Sequence, residues 1–369
     1  MLIHALPFWM SITFLPLVLA GAVFGGIWTF ITPIYAWIVM SILDRIWGLD
    51  TENPDLETDD AALFWHKLIT WIWLPLQVFM IYIVVVAISR YDHLALWESG
   101  LLIFSLGVIS GSIGINYAHE LMHQRNRYER WLGEALMTSV LYGHFVSEHL
   151  LVHHRYVATP RDPVTARYNE SFLRFFPRVL WSCVASAWKA EVALLARKDR
   201  PWWHQKNPFW KYWLGGLAFL ALAYAIDGWA GVAVYILQAF FAVWMLELVN
   251  YVEHYGLTRK HLGDGKYEHV QPRHSWNASH RITNYMLINL QRHSDHHFKP
   301  DRRFPLLQTY DEDDAPQLPF SYPIMTAMAM WPPIFRRVMN KRVRDWRGRY
   351  YPEIVDWEPY AAGLNPPPR

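Results

Sequence analysis

The chain has 369 residues, with 34 Lys and Arg against 32 Asp and Glu, a net charge of +2. That balance gives no reason to expect a nucleic-acid surface, and the single cysteine, Cys183, excludes a structural disulfide, a Cys-based zinc knuckle or a four-thiolate iron site within these residues. Apolar residues make up 53% and fall in long runs, whereas soluble domains of this total length would spread them, so the composition points to a membrane.

In chain order, six runs are candidates to cross a hydrocarbon core about 30 Å thick, for which about 20 helical residues suffice. They cover residues 8–29, 31–46, 68–89, 99–118, 208–226 and 229–250. The second and fifth are marginal in length, and Gly25 and Gly26 blur the end of the first. The pattern predicts an all-α polytopic protein with four to six spans, about six on the fullest count. The first run lacks a basic leader and a small-residue cleavage site and is expected to stay as a span. Tryptophans such as Trp47, Trp65, Trp97, Trp203 and Trp210 fall near the predicted ends, where an amphipathic indole suits the headgroup region.

Lys and Arg set the orientation. They are sparse around residues 91–98 and absent from Asp227–Gly228, but abundant in 125–206 and 259–349. The positive-inside rule places those two segments in the cytoplasm. The chain then divides into spans at 1–118 and 208–251 and cytoplasmic regions at 119–207 and 252–369. Within the first cytoplasmic region, residues 172–198 alternate apolar turns with Arg174, Arg178, Lys189 and Arg197, the pattern of an amphipathic helix lying along the interface. At the end, Asn365-Pro-Pro-Pro-Arg369 is expected to form a stiff linker or tail.

The chemistry is concentrated in nine of the 18 histidines. His119 and His123 follow the fourth run as His-Glu-Leu-Met-His, and four residues apart on a helix they share a face. The second cluster is His149, His153 and His154. Read as an α-helix, it puts His149 and His153 on one face and turns His154 about 100° away, to address a second ion or close the shell from the side. His254 stands at the inner end of the last run in Asn-Tyr-Val-Glu-His-Tyr-Gly. His293, His296 and His297 follow with i, i+3, i+4 spacing. Nine imidazoles exceed what one ion accepts, so the economical reading is two ions with four or five histidines each and positions left open for a reactant. Imidazole by itself does not choose among iron, copper, zinc and nickel.

Other chemistries account for less of this pattern. His119-Glu120-Leu-Met-His123 is also the zinc-protease signature, with Glu120 as general base, but such a site takes three protein ligands and leaves six histidines without a purpose. A soluble di-iron carboxylate bundle needs two Glu-x-x-His half-motifs, and only Glu120-x-x-His123 is present. A metal transporter needs ionisable residues along its spans, and only Glu247 lies well inside one. The acids beside the clusters, Glu120, Glu148, Asp162, Glu253 and Asp295, are expected to accept the non-ligating N–H of a histidine and fix its tautomer, Asp295 above all because it is embedded between ligands. His144, His274 and His280 are expected to support the site by hydrogen bonds. Protons compete with metal for neutral imidazole, so occupancy is expected to fall as pH drops through the histidine range.

Four segments carry a family resemblance: His119-Glu-Leu-Met-His123; Glu148-His149 through His153-His154; Asn250-Tyr-Val-Glu-His254-Tyr-Gly-Leu257; and Leu290-Gln-Arg-His293-Ser-Asp-His296-His297. In order and spacing they resemble the integral-membrane alkane 1-monooxygenases, and the third and fourth set these apart from the membrane desaturases with their eight-histidine plan. The chain departs from the pattern in Leu-Leu-Val between His149 and His153, where glycine is frequent, and in Gln124, where lysine is common.

The resemblance implies six membrane helices in a bacterial inner membrane and a non-haem di-iron centre on the cytoplasmic side, ligated by His119, His123, His149, His153, His154, His254, His293, His296 and His297. It further implies O2-dependent terminal hydroxylation of medium-chain n-alkanes, with electrons from a rubredoxin reduced by an NADH-dependent reductase. A fatty-acyl desaturase or hydroxylase and an aromatic-methyl hydroxylase are the alternatives of the same class. With one cysteine, the donor has to be another protein or another domain. Arg155, Arg161, Lys299, Arg302 and Arg303 flank the boxes and are expected either to steer an acidic donor or to meet anionic lipid headgroups. Gly107, Ser110, Gly111, Ser112 and Gly114 either open a substrate channel or, the favoured expectation, let helices pack closely.

Overall fold

The computed structural model describes residues 2–365, so Pro366–Arg369 and the expected proline tail lie outside the described residues. Six helices are long and apolar enough to cross a membrane: Leu2–Phe24, Trp28–Trp47, Asp60–Ser89, Leu96–Met122, Phe172–Ala196 and Phe209–His254. The last is a hairpin. Asp227 and Gly228 leave helical geometry, Gly228 with φ 52°, and the rings of Phe219 and Tyr235 then meet at 6.3 Å. Sixteen residues of straight helix would hold those rings about 24 Å apart. All six predicted runs are therefore helical, the fifth and sixth joined at the dipeptide expected to turn.

Two details depart from the expected boundaries. The first helix ends at Phe24 because Gly25 and Gly26 take φ 60° and 53°, a conformation L side chains seldom adopt, so Thr29 belongs to the next helix. Phe172–Ala196 also has the length and apolar character of a span. It buries Phe172, Phe175, Val179, Cys183 and Ala187 and leaves Leu173, Trp181 and Val184 exposed.

Close packing of two long helices positions the site. A Cβ on Gly111 would collide with the Ala242 carbonyl and Met245, and one on Gly107 with Phe241 and the Gln238 carbonyl. The small residues thus serve helix contact, as favoured, although Gly111 and Ser112 also border a cavity. The two helices end at His123 and His254.

Short helices gather around those ends, among them Arg127–Ser139, Phe145–Glu148, Arg281–Met286, His293–Phe298, Tyr322–Ala329 and Pro332–Tyr350. The only sheet among the described residues is the hairpin His261–Gly263 with Lys266–Tyr267. Buried Asp44, near the end of Trp28–Trp47, accepts from the Ile282 and Thr283 amides at 2.9 and 3.0 Å and from Thr283 Oγ1 at 2.8 Å. A carboxylate on otherwise unpaired first-turn amides stabilises the helix N-terminus by about 1 kcal/mol. It also ties the second membrane-length helix to the segment leading into the third histidine box.

Candidate metal centre

All nine clustered histidines converge, in two groups. His119, His123, His149, His154 and His296 form one, and His153, His254, His293 and His297 the other; within each group one nitrogen per residue lies within 4.8 Å of all the rest. In the first, the Nε2 atoms of His149 and His123 are 3.0 Å apart, His154 and His149 2.9 Å, and His296 and His154 3.1 Å. In the second, His293 and His254 are 3.1 Å apart, His297 and His293 3.0 Å, and His153 and His297 3.3 Å.

These spacings have a chemical meaning. A neutral imidazole nitrogen carries either one hydrogen or one lone pair, so it cannot satisfy two or three like nitrogens around it. Donors at right angles on one ion, with bonds of about 2.1 Å, lie about 3 Å apart. The donor sets therefore fit two ions with histidine shells.

Local structure decides which histidine joins which group. His149–His153 is a π-helical turn in which the His154 amide bonds to the His149 carbonyl. The wider turn brings His149 and His154 to one group and sends His153 to the other, so the α-helical pairing of His149 with His153 is corrected. Single π-turns occur often at functional sites for this reason, since the extra residue re-aims the side chains that follow. In the short helix His293–Phe298, His293 and His297 share a group at i, i+4 while His296 faces the other. His254, the last residue of its helix, is fully buried.

Burial, followed by repulsion from neighbouring imidazoles, pushes the protonation of His293, His296 and His297 well below the ordinary 6.5. The same causes act on His149 and His154. The cluster is thus held neutral, the state in which imidazole binds a metal.

The five neighbouring acids take different places. Asp162 meets His153 Nδ1 at 3.0 Å and is itself fixed by Thr165 Oγ1 at 2.6 Å and the Val164 amide at 3.0 Å. Glu253 Oε2 lies 3.4 Å from His293 Nε2, on the inward side, while Tyr322 donates to its Oε1 at 2.8 Å. Asp295 does not serve a histidine: it accepts from Arg302, from Tyr310 at 2.8 Å and from the Gln308 amide at 3.0 Å. Glu120 accepts from Gln124 at 3.0 Å, and Glu148 is buried with no hydrogen-bond partner among the described residues. The outer Nδ1 atoms of His149, His154, His254 and His297 likewise lack a protein partner. Packing, not a carboxylate, orients those rings. Of the three supporting histidines, His274 bonds to the Gln271 amide and Tyr351 and lies 3.3 Å from Glu268, while His144 Nε2 and His280 Nδ1 are unpaired.

A mainly apolar cavity opens beside the histidines. Phe14, Ala36, Trp37 and Met40 border it along with Val108, Ile113, Met245 and Val249, and it reaches His119, His149, His293, Glu253 and Asn250. Tyr322 and Thr283 also line it; Tyr322 did not stand out in the sequence because it lies 69 residues from Glu253, which it bonds.

The flanking cations separate into two kinds. Arg155 and Lys299 are exposed. Arg302 instead pairs with Asp295, and Arg303 grips Glu129 through two bonds of 2.8 and 2.9 Å and reaches Asp60 at 3.3 Å. Arg161 lines a separate pocket.

A family model described as fatty acid desaturase matches residues 95–329. The alkane 1-monooxygenase 2 of Pseudomonas aeruginosa is 37% identical over 84% of this chain and 84% of its own length. The alkane 1-monooxygenase of Acinetobacter baylyi is 37% identical over 84% of this chain and 76% of its own length. The xylene/toluene monooxygenase hydroxylase component of Pseudomonas putida is 27% identical over 90% and 87%.

Proposed function

The chain belongs to the alkane 1-monooxygenases, multi-pass membrane oxidoreductases within the fatty acid desaturase family, and we propose that it converts medium-chain n-alkanes to 1-alkanols with electrons from rubredoxin. The observation that carries this reading is the apolar cavity that ends on His119, His149 and His293. An alkane offers neither charge nor hydrogen bond, so its recognition rests on burial of apolar surface. A cavity walled by membrane-length helices accepts such a molecule from the lipid phase.

Overall, R–CH3, O2, two electrons and two protons become R–CH2OH and water. Two iron ions, one on each histidine group, are the proposed cofactor, and when bound they supply the redox chemistry that activates O2. The residues of the chain do the rest. Val108, Ile113, Met245 and Val249 keep bulk water from the reacting carbon. Glu253, held by Tyr322, and Asn250 are among the polar groups that line the cavity; they hold a proton or bond the new hydroxyl. The donor is a rubredoxin, as a separate protein or a fused domain, recharged by an NADH-dependent reductase, and it docks near exposed Arg155 and Lys299 on the cytoplasmic side of the inner membrane.

The test is product analysis. Purified protein given reduced rubredoxin, O2 and alkanes from octane to hexadecane is expected to release 1-alkanols, with about two irons per chain. A single zinc per chain would return the protease reading of His119, Glu120 and His123. Benzylic alcohols from xylene with no alkanol would make it an aromatic-methyl hydroxylase.

A further inference from the structure

A second, polar pocket lies between the loop after the second histidine box and the Phe172–Ala196 helix. Arg161, Arg167 and Arg178 line it together with Thr258, Ser182 and Ser186. Arg178 is already engaged: it binds Glu170 through two bonds of 2.9 Å and donates to the Pro163 and Thr165 carbonyls. Asp162, which also borders the pocket, is engaged by His153, Thr165 and the Val164 amide. Arg161 and Arg167 differ. Among the described residues neither guanidinium has an acceptor; Arg161 rests on the Tyr156 ring at 5.6 Å and against Gly265, and Arg167 lies against Gly363. Thr258 Oγ1 is buried beside them with no partner.

Two unpaired forked cations and a hydroxyl that needs a partner face one space, and their donors match the oxygens of a tetrahedral oxyanion. We propose that this pocket binds a phosphate group. Its place in the fold favours the phosphate of an anionic lipid. The helix that supplies Ser182 and Ser186, lying along the interface as Arg174, Arg178, Lys189 and Arg197 lead one to expect, leaves Trp181 80% and Leu173 68% exposed, where indoles meet headgroups. The loop under the pocket carries Asp162, so an occupant braces the segment that holds His153.

The experiment is thermal unfolding and native mass spectrometry of the full-length protein in detergent. The probes are dioleoylphosphatidylglycerol, dioleoylphosphatidylcholine and inorganic phosphate. The wild type is expected to be stabilised by phosphatidylglycerol and to retain one such lipid, and to respond less to phosphatidylcholine, whose choline offsets the phosphate. Replacing both arginines, Arg161→Gln with Arg167→Gln, is expected to weaken that binding by at least about tenfold, and Thr258→Val by less. Stabilisation by inorganic phosphate alone, lost in the same variant, would uphold the phosphate site and replace the lipid by a free ion. Equal binding of phosphatidylglycerol to the wild type and the double variant would overturn the proposal, as would indifference of the wild type to all three probes. If the double variant does not fold, the exposed Arg161→Gln substitution carries the same comparison.

Discussion

Asp162 shows how much one carboxylate decides. It touches His153 Nδ1 and is fixed by two further bonds, so it holds that ring with Nε2 inward. Asp162→Asn should therefore lower iron affinity about 10- to 100-fold, read as iron retained against a chelator; undiminished retention would deny Asp162 its orienting role. The Arg302 and Arg303 pairs carry a different expectation. Each is bonded to a buried or nearly buried acid, so charge reversal at either leaves a carboxylate unpaired and costs stability, about 3 kcal/mol. The melting temperature should fall whether or not a donor protein is present. The histidines give a pH prediction. Their folded protonation lies below the 6.5 of the free group, so the unfolded chain binds more protons in acid. The resulting stability is complete above about pH 6.5 and is lost as pH falls from there toward the folded values. Metal-free protein should melt at progressively lower temperature as pH falls from about 6.5 to 5, and a flat profile there would contradict the burial of the neutral cluster.

Among elements, the π-turn His149–His153 matters most. Removing Leu151 converts it to an ordinary helical turn and rotates His153 and His154 by about 100° relative to His149. Both histidine groups then lose a donor, so the iron content of the deletion variant should drop to less than half while its helical circular dichroism persists. Full iron loading would show that the turn has no part in sorting the ligands. The contact between Leu96–Met122 and the 229–254 helix makes a second demand. Gly111→Leu forces side-chain atoms onto the Ala242 carbonyl and should destabilise by about 1–3 kcal/mol, measured as a lower unfolding midpoint. Because Gly111 also borders the cavity, alkane turnover should suffer even in molecules that remain folded.

On the scale of the whole molecule, the proposed orientation is open to a labelling test. Cys183 is buried, so Lys299→Cys supplies the reactive thiol. An impermeant maleimide should reach it in inverted membrane vesicles and not in intact spheroplasts; the opposite result would turn the protein over. The periodicity of apolar residues, the Gly25–Gly26 and Asp227–Gly228 breaks and the nine histidines were all legible from the chain alone, because helix length, turn geometry and ligand chemistry are local properties. The i, i+4 rule paired His119 with His123 and His293 with His297, since both pairs lie on α-helix. It failed for His149 and His153, because the π-turn between them leaves no mark in residue spacing. Asp295 stands between two ligands in sequence yet turns away to Arg302, Gln308 and Tyr310, whereas Glu253 and Tyr322, 69 residues apart, meet at the cavity. The chain by itself determined which histidines are the candidate donors and that they gather at helix ends; only the tertiary structure decided how five and four of them divide, because that division depends on distances between segments far apart in sequence.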